Sequence, residues 1–428
     1  MSLTLRNALS VWSEDEEGPG DVHVVGSAIA SASADGAEEL DVTGCVVTPG
    51  LVNAHHHLLQ TAFRTLPGTR GVAMRDWLPT MAAAYRDAGI DGALAYAAAR
   101  AGMAEALLSG VTTVADHHLT WPDADADDGV AIAQGAATAA RELGGRIAFV
   151  RGSAGDRPDA AARSASAIAE ALAPRGVSDD GRVQVAVGPA GVHSDGRETF
   201  EALGEVAARF GLRRRTQANE QVDTVIARER YGRRPLDLLD EWGWLAPDVT
   251  IAHLCDVTGD EIGLLAERGA TATHAPGCDV PMGWGIAPVA RMRAAGLRVG
   301  LGTSGGGSND AGHLLADARL ALQVSALVGP PLTAREVLSA ATAGSADGLG
   351  RPELGRMAAG AAADLCVWDV SGVADAGVAD PVAGLLWAAP GRRPRHVVVA
   401  GEIVVRDGRL VRAEEREIVS ALAARVGR

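Results

Sequence analysis

The stretch Val47-Thr-Pro-Gly-Leu-Val-Asn-Ala-His-His-His-Leu-Leu-Gln60 decides how the rest of the chain reads. An apolar run breaks at Pro49-Gly50, resumes, and then delivers three histidines on consecutive residues. In extended backbone, neighbouring side chains alternate faces, so His55 and His57 share one face and His56 takes the other, the geometry of a two-imidazole metal clip. A strand that stops abruptly at polar groups fits the C-terminal mouth of a barrel of alternating strands and helices, where such folds carry their chemistry. Solvated loop histidines are the plain alternative, and the adjoining Pro49-Gly50 and Gln60 favour a site.

Outward from this stretch, strand-like apolar runs alternate with Ala-rich helical runs. Ala93–Leu108 has helical composition and is followed by the strand-like Gly110–Ala115; Ala160–Leu172 is followed by Val183–Val187. Further units end at Val249–His253, Ala270–His274 and Leu297–Thr303. Such alternation predicts a parallel sheet with right-handed crossovers, and about eight units fit the span, which favours a (β/α)8 barrel over an open sheet. Residues 1–48 and 361–428 read instead as short antiparallel strands with Gly and Asp-Gly turns, the second group followed by a terminal helix. Each end alone has too few strands to be stable, so the two are expected to pair into one β-sandwich flanking a barrel of residues 49–360.

The totals narrow the function. A chain of 428 residues with 47% hydrophobic content can bury a large core. Its 39 basic and 54 acidic residues give a formal charge of −15, which offers nothing to nucleic acid or an anionic membrane, so a small molecule is the expected partner. The cysteines Cys45, Cys255, Cys278 and Cys366 form no close pair, as expected of reduced thiols. The first twenty residues include Glu14-Asp-Glu-Glu17 and no long apolar core, and no run reaches the eighteen apolar residues of a membrane helix; the expectation is a soluble, cytoplasmic protein.

The run Pro49-Gly-Leu-Val-Asn-Ala-His-His-His57 resembles the opening metal strand of the amidohydrolase superfamily, closest to the branch of guanine, 8-oxoguanine and cytosine deaminases and triazine chlorohydrolases. The resemblance implies the barrel and composite β module, and a homo-oligomer. Binuclear members bridge their metals with a carboxylated lysine; this chain has no lysine, so the resemblance implies at most one divalent ion, zinc or iron. The family's His-x-His-x-x-Glu strand end matches Arg215-Thr-Gln217-Ala-Asn-Glu220: the proton-shuttling glutamate is kept, but Gln217 holds the ligand position. His253 matches the histidine near the metal, and His274 another that lines the substrate pocket. Ser304 stands where the family's aspartate follows Gly-Leu-Gly, with Asp310 the next carboxylate along. Gln60 falls at a spacing where this branch contacts the substrate ring.

Two of the expected ligands are thus replaced by neutral groups. A catalytic zinc takes three good protein ligands plus water, and structural zinc sites gain ~10–16 kcal/mol from about four ligands, so losing an imidazole and a carboxylate predicts weak binding or an empty site at His55 and His57. His253 is the first candidate for replacing a ligand, with His193 and His117 behind it. Without a metal, an attacking water needs a general base and an electron-poor carbon. Glu220, His253, His274 and Asp310 are the candidate acids and bases; Gln60, Gln217, Ser304, Arg151 and Arg215 are candidate substrate contacts, either arginine equally suited to a structural ion pair. Trp77 and Trp284 fall in stretches expected to be loops near the mouth, where they stack on a planar ligand or pack beneath the barrel lid. Three readings stand: a hydrolase displacing an amino, halide or nitro group from an N-heteroaromatic ring, with or without a metal; a zinc or iron deaminase with rearranged ligands; and an inactive ligand-binding relative.

Overall fold

The computed structural model describes residues 2–122 and 126–427. Eight parallel strands form the central sheet: β1 (Leu51–His57), β2 (Val111–His118), β3 (Arg146–Ser153), β4 (Val183–Pro189), β5 (Arg213–Ala218), β6 (Val249–His253), β7 (Thr271–His274) and β8 (Val299–Leu301, resumed at Ser304–Gly305). Each pairs with the next in sequence order, and the resumed part of β8 pairs with β1 through Ser304 opposite His56. Thr303 N–H donates to the His55 carbonyl at 3.0 Å, so the last strand closes on the first and the sheet is a barrel. Strands buried on both faces have no polar side to present, which explains runs such as Val-Gln-Val-Ala-Val in β4.

Helices cover the barrel. Gly92–Leu108 starts at Asp91, whose carboxylate accepts from Leu94 N–H at 2.7 Å. Its alanines and glycines let the next helix, Ala126–Leu143, lie almost against its backbone: a Cβ on Gly135 would stand 2.5 Å from the Gly92 carbonyl oxygen. Between β1 and that pair lies α1 (Met74–Ala88), which crosses the barrel mouth. No described helix is long and apolar enough to cross a membrane.

The two ends of the chain meet in a second, nine-stranded sheet, where Cys45–Pro49 pairs antiparallel with Leu365–Asp369. The N-terminal part is more mixed than the short antiparallel strands expected. Ser2–Trp12 runs eleven residues, pairing antiparallel with Glu17–Val25 but parallel with Glu38–Asp41 and Cys45–Pro49. Leu3, Leu5, Val24, Val47, Leu365 and Val398 give this sheet a core of its own. Arg146 at the start of β3 ties it to the barrel through two hydrogen bonds to Asp364, at 2.7 and 3.0 Å. The terminal helix Glu415–Val426 packs on Gly92–Leu108.

Candidate active site

The C-terminal ends of the strands open into a cavity of about 830 Å³. Its floor carries His57, His117, Gln217, Glu220 and Ser304, and its wall includes Gln60 and His193. Trp77 and Trp284 both face it. Backbone strain concentrates here: Asn219, His253 and Ser304 all have left-handed φ, at 57°, 75° and 52°. Non-glycine residues hold such angles only where the surroundings enforce them, a pattern typical of functional sites.

Three imidazoles converge beneath the floor. The His55 ring meets that of His57 at 4.9 Å and that of His253 at 5.1 Å between centroids, both edge-on. His56 turns away and bonds Thr303 Oγ1 at 2.8 Å. His57 Nδ1 is tied to the His117 carbonyl at 2.6 Å, and His253 Nδ1 to Asp279 Oδ1 at 2.6 Å, so each ring is oriented through Nδ1. Histidines that ligate metals are fixed in this way by a carbonyl or carboxylate on the far nitrogen. His55 Nε2 is buried with no partner at all. Burial pulls His55 well below the usual imidazole range and His57 down to about 4, so both present neutral, ligand-competent rings. The rings of His55, His57 and His253 are grouped, but their nitrogens do not all approach within 4.8 Å of one another, so they are candidate donors for one divalent ion and not a preformed set. Among the described residues His253, Cys278 and Asp279 do approach that closely, but burial pushes the Cys278 thiol up and keeps it protonated, a poor ligand.

Glu220 ends the strand-to-helix turn after β5 and is buried. Its Oε1 has no hydrogen-bond partner and lies 3.7 Å from His253 Nε2, while Gln217 Oε1 is 3.0 Å from that same nitrogen. Burial pushes the Glu220 carboxyl up, against the pull of His253. Burial works against the charged form of His253 as well, but Asp279 and Glu220 outweigh it and raise its pKa. His274, expected to line the pocket, is not among the residues lining the cavity; it stands beside Asp279, its Nδ1 3.5 Å from Oδ2. His117 Nε2 is engaged by the Gly188 carbonyl at 2.9 Å, whereas His193 lines the cavity with an unpartnered Nδ1.

Three residues expected at the site lie elsewhere. Asp310 is half-exposed, accepts from Thr65 N–H at 2.7 Å and pairs with Arg70, which also donates to the Gly307 carbonyl; it clamps two loops together outside the cavity. Arg151 is spent on Asp156 at 2.6 Å, stacks on Trp121, and sits behind the wall. Arg215 points into the barrel interior and donates to the Ala54 carbonyl, so it does not reach a substrate in the cavity. Strand parity explains the last case. Position 215 shares a face with 217 but lies one pleat deeper.

Sequence reading also missed two features. Asp279 holds His253, yet it comes from a four-residue helix after β7, where nothing in the sequence fixes the fold of the turn. The apolar wall from α1 uses Trp77, Leu78, Met81 and Tyr85, and the spacing of Met74, Trp77, Met81 and Tyr85 is a helical stripe that was legible.

Residues 46–404 match the amidohydrolase family. An 8-oxoguanine deaminase of Pseudomonas aeruginosa is 35% identical over 400 residues, covering 91% of this chain and 88% of its own length. A 5-methylthioadenosine/S-adenosylhomocysteine deaminase of Halobacterium salinarum is 32% identical, covering 92% and 90%. Among solved structures, an atrazine chlorohydrolase from Arthrobacter aurescens, complexed with zinc, superposes with a TM-score of 0.92 at 32% identity over 99% of this chain and all of that one. The barrel, the site at its mouth and the extent of these matches agree: the chain belongs to the amidohydrolase family and is a hydrolase of its heteroaromatic deaminase and triazine hydrolase branch.

Proposed function

We propose that this chain uses water to displace a substituent, an amino group, halide or nitro group, from a carbon of an N-heteroaromatic ring, and that Glu220 is the acid and base of the reaction. The observation that carries this reading is the Glu220 carboxyl: buried, with one oxygen unpartnered, facing a cavity beside His253 and Gln217. Held protonated by burial, it can give its proton to a ring nitrogen as the water oxygen bonds the neighbouring carbon. The carboxylate then takes a proton from the added water and passes it to the leaving group, and as that group departs the proton on the ring nitrogen returns to Glu220, so water and substrate become the ring hydroxyl and the protonated leaving group.

His55, His57 and His253 would hold a single zinc or iron ion, which when bound lowers the pKa of the attacking water. Gln60, Gln217 and Ser304 offer neutral donors and acceptors to the ring's edge. The outer chamber is walled by Trp77, Leu78, Met81, Ile90, Trp121 and Trp284, and at about 830 Å³ it lies in the upper part of the ~300–1,000 Å³ range of drug-sized pockets. Arg86 is the one arginine lining it among the described residues. The reading is therefore a ring that carries a neutral, apolar substituent rather than a phosphate.

A metal-free form of the same reaction has one observation in its favour: both ring nitrogens of His253 are already engaged, by Asp279 and by Gln217. Purified protein, as isolated, zinc-loaded and chelated, is to be tested on amino-, chloro- and nitro-substituted azoles, triazines and purines. Turnover in any form that vanishes in Glu220→Gln supports the proposal; no turnover of any compound in all three forms overturns it. Elemental analysis separates the two forms, since stoichiometric metal with activity lost on chelation excludes the metal-free one.

A further inference from the structure

Asp279 ends the helix Pro276–Asp279 and is completely buried. Its Oδ1 accepts from His253 Nδ1 at 2.6 Å, and its Oδ2 stands 3.5 Å from His274 Nδ1. Neither that Oδ2 nor that Nδ1 makes a hydrogen bond among the described residues, so the approach between them is an electrostatic contact. One carboxylate therefore lies between the imidazoles that end two adjacent strands, β6 and β7, which pair through Ala252 and Thr273 one residue earlier. The His253 ring is also wedged edge-on between His55 and Trp284, each 5.1 Å away between centroids. With its faces and edges so confined, the remaining freedom of the ring is a flip about its own axis, which would exchange Nδ1 for carbon at Asp279 and turn Nε2 away from Glu220.

We propose that Asp279 is the positioning residue of the site. Through Oδ1 it fixes the Nδ1–H form of His253 and aims Nε2 at Glu220 and Gln217, and through Oδ2 it sets His274 beside it. A buried ion pair between loop and strand would need only one imidazole; a carboxylate placed between two, with no backbone N–H donating to either oxygen among the described residues, orients them relative to each other. The inference rests on the reading of His253 as part of the reacting site.

Asp279→Asn keeps the shape and one acceptor oxygen, enough for His253 or His274 but not both; Asp279→Ala removes both contacts. The full-length protein with ¹⁵N-labelled histidine gives the direct readout. A far-downfield Nδ1 proton, assigned to His253 by its loss in His253→Asn, is expected in the parent and in Glu220→Gln, and is expected to be lost or shifted in both Asp279 variants. Chelator competition is expected to show zinc held about 10–100-fold more weakly by Asp279→Asn, and kcat falling by a similar factor with KM nearly unchanged. An unchanged proton signal with full kcat in Asp279→Asn overturns the proposal. If the Ala variant does not fold, the Asn variant decides alone. A parent that neither binds zinc nor turns over any heteroaromatic, yet shows the proton and loses it in Asp279→Asn, overturns the proposed function and leaves the positioning role standing.

Discussion

Two arginines of the barrel wall show how differently its two ends are built. Arg146, at the bottom of β3, makes a bidentate pair with Asp364 and a third bond to the Gly181 carbonyl at 2.9 Å, while Asp364 also accepts from Ala400 N–H at 2.7 Å. Arg215, one pleat below the mouth, is equally buried but among the described residues has no carboxylate partner; there it reaches only the Ala54 carbonyl, and its Nε and Nη1 are unpartnered. Burial brings its pKa down to about 9. The mouth adds His55 Nε2, Glu220 Oε1, His193 Nδ1 and Asp279 Oδ2 to the unsatisfied groups. Buried polar atoms are nearly always paired, and although Thr113, Gln184 and Arg213 each leave one open at the closed end, the mouth gathers ionisable groups in that state around one cavity, an arrangement shaped for something other than stability.

Breaking the open end should cost turnover and little stability. Glu220→Gln is expected to lower kcat about 10²–10⁴-fold, the range of a lost general acid or base, with a melting temperature equal to or above the parent's because a buried carboxyl becomes an amide. A large fall in melting temperature would erase the contrast. Breaking the closed end should do the reverse. Arg146→Met leaves Asp364 buried and unpaired and is expected to cost about 3–5 kcal/mol in urea unfolding, with kcat nearly unchanged in the protein that remains folded.

Asp116 sharpens the comparison, since it lines the cavity yet bonds only Leu58 N–H, at 2.8 Å. Burial pushes its pKa up to about 7. Its folded value lies above the unfolded one, so its contribution is most favourable below about pH 4 and is lost as pH rises towards about 7, then levels. Asp116→Asn is therefore expected to be more stable than the parent at pH 8, with the advantage shrinking towards pH 4; equal differences at both ends would show that this group does not stay protonated. The smallest effect is expected at the chamber wall. Trp77 Nε1 donates to the Gly307 carbonyl at 3.0 Å, and Trp77→Phe should cost about 0.5–1.5 kcal/mol of stability and raise KM for substrates with an apolar substituent more than for the bare ring.

Much of this was legible in the sequence, and the boundary has a physical cause. Alternating strand and helix runs specify a barrel, and period-two alternation separates His55 and His57 from His56. Glu220, Gln217 and Ser304 end strands, so strand order alone brings them to the mouth. Depth within the barrel is harder to read. Arg215 differs from Gln217 only by one pleat, and a single pleat separates the interior from the cavity. Asp310 sits only six residues beyond Ser304, but the intervening loop carries it out to Arg70. Asp279 was out of reach because its place depends on a short helix whose position is set by tertiary packing.

The loop Gly305-Gly-Gly307 fixes one more property of the molecule. A Cβ on Gly306 would stand 2.6 Å from the Gln60 carbonyl oxygen, and one on Gly305 3.0 Å from His57 Cβ. Natural drift or directed change therefore has no room to install a side chain on that flank, whereas Leu78 of α1 is already partly open to solvent. A lineage adapting this scaffold to a new compound would be expected to rewrite α1 first and to leave Gly305 and Gly306 untouched.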